Sequence, residues 1–246
     1  MDSQHLSTMS GMDGDPGPQI GQGYVCHLGV CSYAEATARQ RQLRQRRRAG
    51  LLPDLLLLTE HPATYTCGRG TRPEHLHGDA RSYARAGIEL HEVERGGSAT
   101  YHGPGQLVGY PIIDLRPRGR DVHQYMRNLE QVLIRTLTGL GIEAGTRPGL
   151  TGVWTGGRKV AAIGIHVSQW VTMHGFAINV APNLAHFGGI VPGGLIGEEV
   201  TAIAELVKEP PTVWELAPAV TGHFAAVFEL ELELVPWTAL ESETGA

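Results

Sequence analysis

The segment RGGSATYHGPGQLVGYP, residues 95–111, contains five glycines and two prolines, and Arg95 is its only arginine or lysine. Glycine has no Cβ, so it tolerates a positive φ and lets another group approach the backbone closely. A surface loop would be more polar and a strand would contain fewer glycines, so this composition indicates a loop that wraps a ligand. The apolar run LVGYPIIDL, which begins inside the segment, predicts that the loop leads into a strand.

Strand patterns follow one another closely along the rest of the chain, and no internal repeat is present. Short apolar or alternating runs predict further strands, with Gly156-Gly157 as a hairpin turn: LLPDLLLL, HPATYTCGRG, IELHEVE, VWTGGRKVAAIGIHV, HGFAINV and ELELELV. Apolar stripes and capping residues predict helices over residues 32–49, 80–86, from Asp121 onward and 212–228, with Pro218 expected to kink or split the last of these. We therefore expect an α+β fold, a mixed and largely antiparallel sheet with flanking helices on one side.

Composition limits the domain organisation and the class of protein. The first 22 residues are polar and rich in glycine and proline, which predicts a disordered tail over residues 1–22 and a single domain over residues 23–240. No apolar run is long enough to span a bilayer, no secretory signal is visible, and the net charge of −5 argues against general nucleic-acid binding. Cys26, Cys31 and Cys67 cannot all pair within one chain. A reduced, cytoplasmic protein that binds neither membrane nor nucleic acid is expected.

Several common catalytic and cofactor motifs are missing from the sequence. It contains neither GxSxG, the turn that presents a nucleophilic serine, nor the GxxxxGK[ST] loop that cradles phosphates. Glu74-His75-Leu76-His77 could supply metal ligands, but no second ligand pair accompanies it, so a structural or surface role is favoured. We therefore predict no metal and no cofactor.

Lysine is scarce in this chain, because only Lys159 and Lys208 among its 20 basic residues are lysines. Lys208 lies in the segment VKEPP and is interpreted as a surface residue. Lys159 opens an apolar strand, where a compact, titratable ammonium could stabilise developing negative charge or lower the pKa of a neighbour. The glycine loop, this lysine strand and HGFAIN together suit a narrow apolar tunnel for an acyl chain, with polar backbone at one end.

Two histidines and an arginine stripe allow both a structural and a functional interpretation. The two interpretations weigh equally for His102 because loop residues often carry function, whereas His174 is interpreted as a hydrogen-bonded strand residue. Arg41, Arg44 and Arg48 share one face of the first predicted helix. A solvated helix surface is the simpler interpretation of this stripe, and a docking patch for an acidic protein is the alternative.

Five segments resemble a known family in sequence and in order: EHPATYTCGR, RGGSATYHGPGQLVGYPIIDL, TGVWTGGRKVAAIGIHV, HGFAINV and IVPGG. They cover most of residues 53–203, and they are similar to the octanoyltransferase family, also called lipoate-protein ligase B. The resemblance implies the fold of the lipoate and biotin ligases. It also implies transfer of an octanoyl group from acyl carrier protein to a lysine of a lipoyl domain, such as those of 2-oxoacid dehydrogenases or the glycine cleavage H protein.

The resemblance also assigns residues to roles. It implies that Lys159 is the catalytic lysine, which depresses the pKa of a cysteine nucleophile. It further implies an acyl site formed by three segments: Arg95, Gly96, Gly97, Ser98, Ala99, Thr100, Tyr101 and His102; Ala162, Ile163 and Gly164; and Gly175, Phe176 and Ala177.

The cysteine itself is replaced in this chain. The family places it in a proline-cysteine-glycine step, and the same place here is Pro192-Gly193-Gly194. Glycine has no nucleophilic atom, which leaves three routes open. The target lysine could attack the carrier thioester directly, Cys67 could serve as a relocated nucleophile, or the protein could bind acyl groups or lipoyl domains without turnover.

Three functions are consistent with these observations. The leading hypothesis is an octanoyltransferase of lipoate biosynthesis. A non-catalytic protein that binds acyl groups or lipoyl domains is the alternative from a different class. An ATP-dependent lipoate ligase on the same fold ranks last, because no separate nucleotide-binding motif is visible.

Overall fold

The computed structural model describes residues 21–241 of the chain. Within that range it contains the strands β1 (Gly21–Val30), β2 (Asp54–Glu60), β3 (Thr64–Cys67), β4 (Glu89–Glu92), β5 (Ala99–His102), β6 (Gln106–Ile112), β7 (Gly145–Arg147), β8 (Leu150–Thr155), β9 (Arg158–Ser168), β10 (Val171–Asn179) and β11 (Leu230–Leu234). The helices are α1 (Tyr33–Arg48), α2 (Ala80–Arg85), α3 (Val122–Gly139), α4 (Val213–Phe228) and α5 (Trp237–Glu241). Most of the predicted tail lies outside the described residues, but Gly21 and Gln22 already belong to β1, two residues before the expected boundary.

The strands form two sheets that share no strand. The large sheet has the order β11-β1-β2-β6-β10-β9-β8-β7, and the small one has the order β4-β3-β5. In the large sheet β1 runs parallel to β2 and β11, and the remaining pairs are antiparallel. In the small sheet β3 is parallel to β4 and antiparallel to β5. This arrangement confirms the expected α+β fold with a mixed, largely antiparallel sheet.

Helices cover both faces of the large sheet, and the expectation that they lie on one side was wrong. Leu56 and Leu58 of β2 belong to the apolar core beneath α3 and α4, whereas Leu55 and Leu57 belong to the core beneath α1. Successive side chains of a strand point to opposite faces, so a strand that is covered on both sides needs apolar residues at every position. The unbroken leucine run is therefore the sequence signal for two helical layers.

The ends of the long helices follow the capping residues in the sequence. Asp121 caps α3 by accepting a hydrogen bond from the backbone N–H of Gln124 at 2.9 Å, and Thr212 and Glu215 form the predicted capping box at α4. Pro218 neither ends nor splits α4, which continues to Phe228. Packing of one side of α4 in the core outweighs the hydrogen bond that proline removes. None of the helices within residues 21–241 is long and apolar enough to cross a membrane.

Glycine residues allow close packing where the two central strands β6 and β10 pair in the large sheet. Gly109 pairs with Phe176 across the two strands, and a Cβ built on Gly109 would lie only 2.1 Å from the Phe176 Cζ atom. A Cβ on Gly175 would lie 2.2 Å from the carbonyl oxygen of Gly109. Side chains at these two positions would push the strands or the phenylalanine ring out of place.

We expect the substitution Gly109→Ala to lower the free energy of unfolding by about 1–3 kcal/mol, because the new methyl group overlaps the Phe176 ring. Gly222→Ala is the control, since a Cβ at that exposed position in α4 meets no atom within 4 Å. Alanine there should raise the free energy of unfolding by about 1 kcal/mol through helix propensity. Urea unfolding of both variants measures the two effects, and equal stabilities would contradict the proposed steric constraint.

Candidate active site

A cavity of about 240 Å³ lies between the glycine loop and strands β9 and β10. Its lining includes Lys159, Gly193 and every acyl-site residue implied by the family resemblance except Gly96. Gly96 instead donates its backbone N–H to the carbonyl oxygen of Ile165 at 2.8 Å, and so it fastens the loop to β9. The sequence therefore located three walls of one cavity, although the three segments are separated by up to 73 residues between His102 and Gly175.

Lys159 lies at the start of β9 with only 9% of its surface exposed. Its backbone N–H donates to the Glu199 carbonyl at 2.8 Å, which fixes the strand against the following loop. The Nζ atom lies 4.8 Å from the ring centroid of Trp154. Burial lowers the pKa of Lys159; Glu198 opposes this effect and Arg147 adds to it. A lysine with a lowered pKa is neutral more often near neutral pH, and it can then accept a proton.

Gly193 faces the amine of Lys159. Its backbone is left-handed, with φ +66° and ψ 7°. A Cβ built on Gly193 would lie 3.5 Å from Lys159 Nζ, an ordinary van der Waals distance. A side chain at this position would therefore point at the lysine, which is the arrangement that the resemblance implies for the cysteine. With glycine, the space beside the amine is open to another group.

The segment that contains His75 and His77 holds the loop of Gly193 in place. The His75 carbonyl accepts a hydrogen bond from the backbone N–H of Val191 at 2.9 Å. The His75 Nδ1 atom accepts a 2.6 Å hydrogen bond from the Ser98 hydroxyl, and His77 Nδ1 lies 2.9 Å from the Gly188 carbonyl oxygen. These contacts give the two histidines the structural role that was favoured, and residues 21–241 contain no cluster of three or more metal-ligating side chains.

Arg95 lines the cavity and is buried. Its Nη2 atom donates to the backbone oxygen and the hydroxyl of Thr66, both at 2.8 Å, and its Nη1 atom donates to the Gly96 carbonyl at 3.0 Å. All of these acceptors are uncharged, and within residues 21–241 the Nε atom has no partner. Burial lowers the pKa of Arg95. An uncompensated buried cation favours an electron-rich ligand atom such as a carbonyl oxygen.

Aromatic and imidazole side chains close the inner end of the cavity. Tyr33 of α1, Tyr110 of β6 and His174 of β10 line it together with His102. Tyr33 stacks on His102 with 5.8 Å between ring centroids, and its hydroxyl lies 3.4 Å from His174 Nδ1. His102 Nδ1 lies 3.2 Å from the side-chain oxygen of Gln106. The sequence had not grouped these residues, and the structural interpretation of His174 omitted its place on the cavity wall.

Burial keeps the histidines of this region neutral. It lowers the pKa of His61 to about 4 and that of His174 to about 3. It also lowers the pKa of His102 well below its ordinary value, an effect to which His61 and Arg95 add. Neutral imidazoles hydrogen-bond without bringing a charge to the ligand, so the inner end of the cavity is polar but nearly uncharged apart from Arg95.

Cys67 does not line the cavity. It ends β3 in the small sheet and is half-buried. Burial raises the pKa of its thiol, and the Arg95 charge only partly offsets that effect. A raised pKa reduces the thiolate fraction, so both position and protonation disfavour Cys67 as a relocated nucleophile.

Known proteins resemble this chain over most of its length. The family model for the lipoyl protein ligase A/B catalytic domain matches residues 32–225. The octanoyltransferase of Solibacter usitatus is 50% identical over 205 residues, which cover 83% of this chain and 92% of that protein. The octanoyltransferase of Gloeobacter violaceus is 47% identical over 217 residues, which cover 87% and 94%. A bipartite lipoate protein ligase of Thermoplasma acidophilum, solved in a study that includes its E2 lipoyl domain, matches with a TM-score of 0.72 at 17% identity over 88% of this chain and 87% of that one, which shows the fold.

The low pKa values of the buried histidines predict a loss of stability in mild acid. Below about pH 6.5 the unfolded chain binds protons that the folded chain excludes, so the free energy of unfolding falls with pH until the folded pKa is reached. His61 and His174, with folded pKa values of about 4 and about 3, should each contribute about 1 kcal/mol of loss between pH 7.5 and pH 5.5.

Urea unfolding at the two pH values measures this loss in the wild type and in His61→Gln, whose amide supplies a donor and an acceptor, as the neutral ring does. The variant should lose about 1 kcal/mol less than the wild type. His123→Gln, at an exposed position, is the control and should behave like the wild type. A His61→Gln variant with the pH dependence of the wild type would refute the assignment.

Proposed function

This chain belongs to the octanoyltransferase family of lipoyl protein ligase A/B catalytic domains, and we propose that it transfers an octanoyl group from acyl carrier protein to the ε-amine of a lysine on lipoyl domains. The names and the high identity of its relatives support octanoyl transfer. The lipoyl domain as acceptor is supported by the Thermoplasma acidophilum ligase, which was studied with its E2 lipoyl domain. The cavity beside Lys159 supports an acyl ligand that reacts at that end.

The open space beside Lys159 carries the mechanistic part of the proposal. Without a side chain at Gly193, the amine of the acceptor lysine can occupy the space 3.5 Å from Lys159 Nζ where a cysteine side chain would begin. The acceptor amine attacks the thioester carbonyl, the N–C bond forms and the C–S bond breaks. Lys159 takes the proton from the attacking nitrogen and returns it to the departing thiolate. Proximity alone contributes roughly 7–11 kcal/mol in good intramolecular reactions, and a thioester is a reactive acyl donor.

The other routes have weaker support in the structure. Cys67 is away from the cavity and has a raised pKa. Ser98 is a further candidate nucleophile, because it lines the cavity and its hydroxyl donates to His75 Nδ1. That nitrogen also accepts a hydrogen bond from the backbone N–H of Arg72, so it is a poor base for the serine. An ATP-dependent ligase is disfavoured because the relatives at 47–50% identity are octanoyltransferases, whereas the ligase structure shares only 17% identity.

Intact-mass spectrometry tests the direct route after the protein is mixed with octanoyl-acyl carrier protein and a lipoyl domain. The expected result is an octanoylated lipoyl domain with no octanoyl adduct on the enzyme. An ester on Ser98 or a thioester on Cys67 would overturn direct attack. Carrier binding with no product in any mixture would overturn the transferase and favour the binding protein.

The variant Gly193→Cys is expected to gain an octanoyl thioester adduct when it is mixed with the donor alone. The atoms around Gly193 leave room for a Cβ, and a left-handed backbone costs a non-glycine residue about 1–2 kcal/mol, which the fold should tolerate. Gly197→Cys, on the same loop and also at positive φ, is the control and should gain no adduct. If Gly193→Cys is folded yet never labelled by the donor, the pairing of position 193 with Lys159 is refuted.

Lys159→Met should reduce kcat/KM for octanoyl transfer by at least about 100-fold, because it removes the proton acceptor while it keeps an apolar stem of similar length. Lys208→Met, at an exposed position, is the control and should leave the rate unchanged. Steady-state assays of both variants, with thermal unfolding to confirm that each is folded, make the measurement. Transfer by Lys159→Met at more than a third of the wild-type rate would exclude Lys159 as the base.

A further inference from the structure

One surface of the molecule concentrates positive charge in a chain whose net charge is −5. We call it the arginine face and define it by Arg41, Arg44 and Arg48 of α1 and Arg69 of the loop after β3. The three α1 residues extend along one side of the helix, as their spacing predicted. Arg69 joins them across β9, where its Nη2 atom donates to His166 Nδ1 at 3.1 Å.

The positive charge of this face is compensated only in part. Arg41 Nε lies 3.5 Å from Glu94 Oε1, with 56% of the arginine side chain exposed. Arg48 donates to the neutral amide oxygen of Gln169, and the Nη1 atom of Arg44 is buried without a hydrogen-bond partner in the part of the chain that the structure describes. Four guanidinium groups thus share one paired carboxylate there, which leaves a positive field directed at solvent.

A strained hairpin tip adds an exposed aromatic ring beside the arginine face. Gln169 and Trp170 join β9 to β10 with φ values of +50° and +66°, a conformation that glycine or asparagine normally supplies. Left-handed backbone is unfavourable for residues other than glycine, so the turn is held in place by its surroundings. Arg48 binds the Gln169 side chain, and Arg120 lies 6.0 Å from the ring of Trp170, which is 38% exposed. A basic surface with one exposed aromatic residue suits an acidic protein partner with apolar side chains.

Strand β9 connects the arginine face to the reacting end of the cavity. Lys159 lies at one end of the strand and His166, which contacts Arg69, lies near the other. At about 3.3 Å per residue the two positions are roughly 23 Å apart. Between them Ala162, Ile163 and Gly164 line the cavity and are partly exposed. The neighbouring loop glycines Gly96 and Gly97 are exposed. A flexible arm could therefore lie along this rim and reach Lys159 from a protein bound at the arginine face.

We propose that the arginine face docks the acidic carrier protein that supplies the octanoyl thioester, with the carrier's thiol-terminated arm lying along β9 to Lys159. This inference rests on the proposed function, because it assumes a protein-borne thioester as donor. In this arrangement the arginine stripe of α1 binds the donor protein. The acceptor protein binds at the rim around Gly193, at the other end of β9.

The test compares a protein-borne donor with a small one. In the double variant Arg41→Glu/Arg48→Glu, KM for octanoyl-acyl carrier protein should rise roughly tenfold at low ionic strength, because attraction becomes repulsion. The variant's kcat/KM for octanoyl-pantetheine, an uncharged thioester without a protein, should match that of the wild type. Its KM for the lipoyl domain should also match. The wild type should lose affinity for the carrier as salt is raised, and the variant should not.

A matched control changes the same charge elsewhere. Arg127→Glu/Arg135→Glu alters two exposed arginines of α3, on the opposite face of the large sheet, and should leave the carrier's KM unchanged. Three results would each overturn the docking proposal. They are an unchanged KM for the carrier in the α1 variant, a raised KM for the lipoyl domain instead, and an equal loss of kcat/KM with octanoyl-pantetheine. If Arg41→Glu/Arg48→Glu fails to fold, the glutamine pair and the salt dependence of the wild type give the same readout.

Failure of docking and failure of the proposed function are distinguishable. Fluorescence anisotropy of labelled octanoyl-acyl carrier protein measures docking without turnover, and weaker binding to the α1 variant than to the wild type supports the proposal even where no transfer occurs. Transfer from octanoyl-pantetheine with no carrier binding would keep the chemistry and overturn the docking. Carrier binding of equal strength by wild type and variant would also overturn it.

Discussion

Close contact between backbone and ring at the centre of the large sheet sets the geometry of the cavity. Gly109 leaves room for the Phe176 ring, and Gly175 leaves room for the carbonyl of Gly109. On the cavity side, a Cβ at Gly164 would lie 3.0 Å from the Arg95 side chain. The strands therefore present backbone with few side chains to the glycine loop. The hydrogen bond from the Gly96 N–H to the Ile165 carbonyl holds that loop against β9. Of these glycines, Gly164 and Gly175 line the cavity, so its wall at those positions is backbone rather than side chain.

The sequence predicted this wrapped cavity from the glycine loop, but it could not supply the inner wall. Tyr33 and His174 meet only because α1 packs on β10, and their separation of 141 residues leaves no local pattern to detect. The unbroken Leu55–Leu58 run indicates a strand that is buried on both faces, although helices were expected on only one side of the sheet. The expectation that Pro218 could split α4 was wrong, because a local propensity of a few kcal/mol is overridden where tertiary packing holds a helix. Local chemistry therefore predicted the elements and the glycine wall, while contacts between distant segments decided the layers and the inner end.

The burial of Lys159 argues that the site is adapted to chemistry despite the glycine at position 193. An ammonium loses hydration energy when it is buried, and Lys159 is one of only two lysines in a chain that otherwise uses arginine. Arginine could not titrate near neutral pH, whereas a buried lysine can. A protein that only bound acyl groups would gain little from this residue. With its lowered pKa, Lys159 can serve as a proton acceptor whether the proton comes from a thiol or from an amine.

Direct attack requires separate binding surfaces for the donor and the acceptor, whereas a covalent intermediate does not. When an enzyme stores the acyl group on itself, donor and acceptor can use one docking surface in turn, and the kinetics are ping-pong. Without a nucleophile both partners must be bound together, so their surfaces cannot overlap and the kinetics must be sequential. Gly193 is exposed beside Lys159 at one end of β9, and His166, which contacts Arg69 of the arginine face, lies roughly 23 Å from Lys159 along the strand. On the proposed direct route, that separation allows a carrier to deliver its thioester through a long arm while the acceptor lysine enters beside Gly193, so a glycine at position 193 is compatible with turnover on this fold.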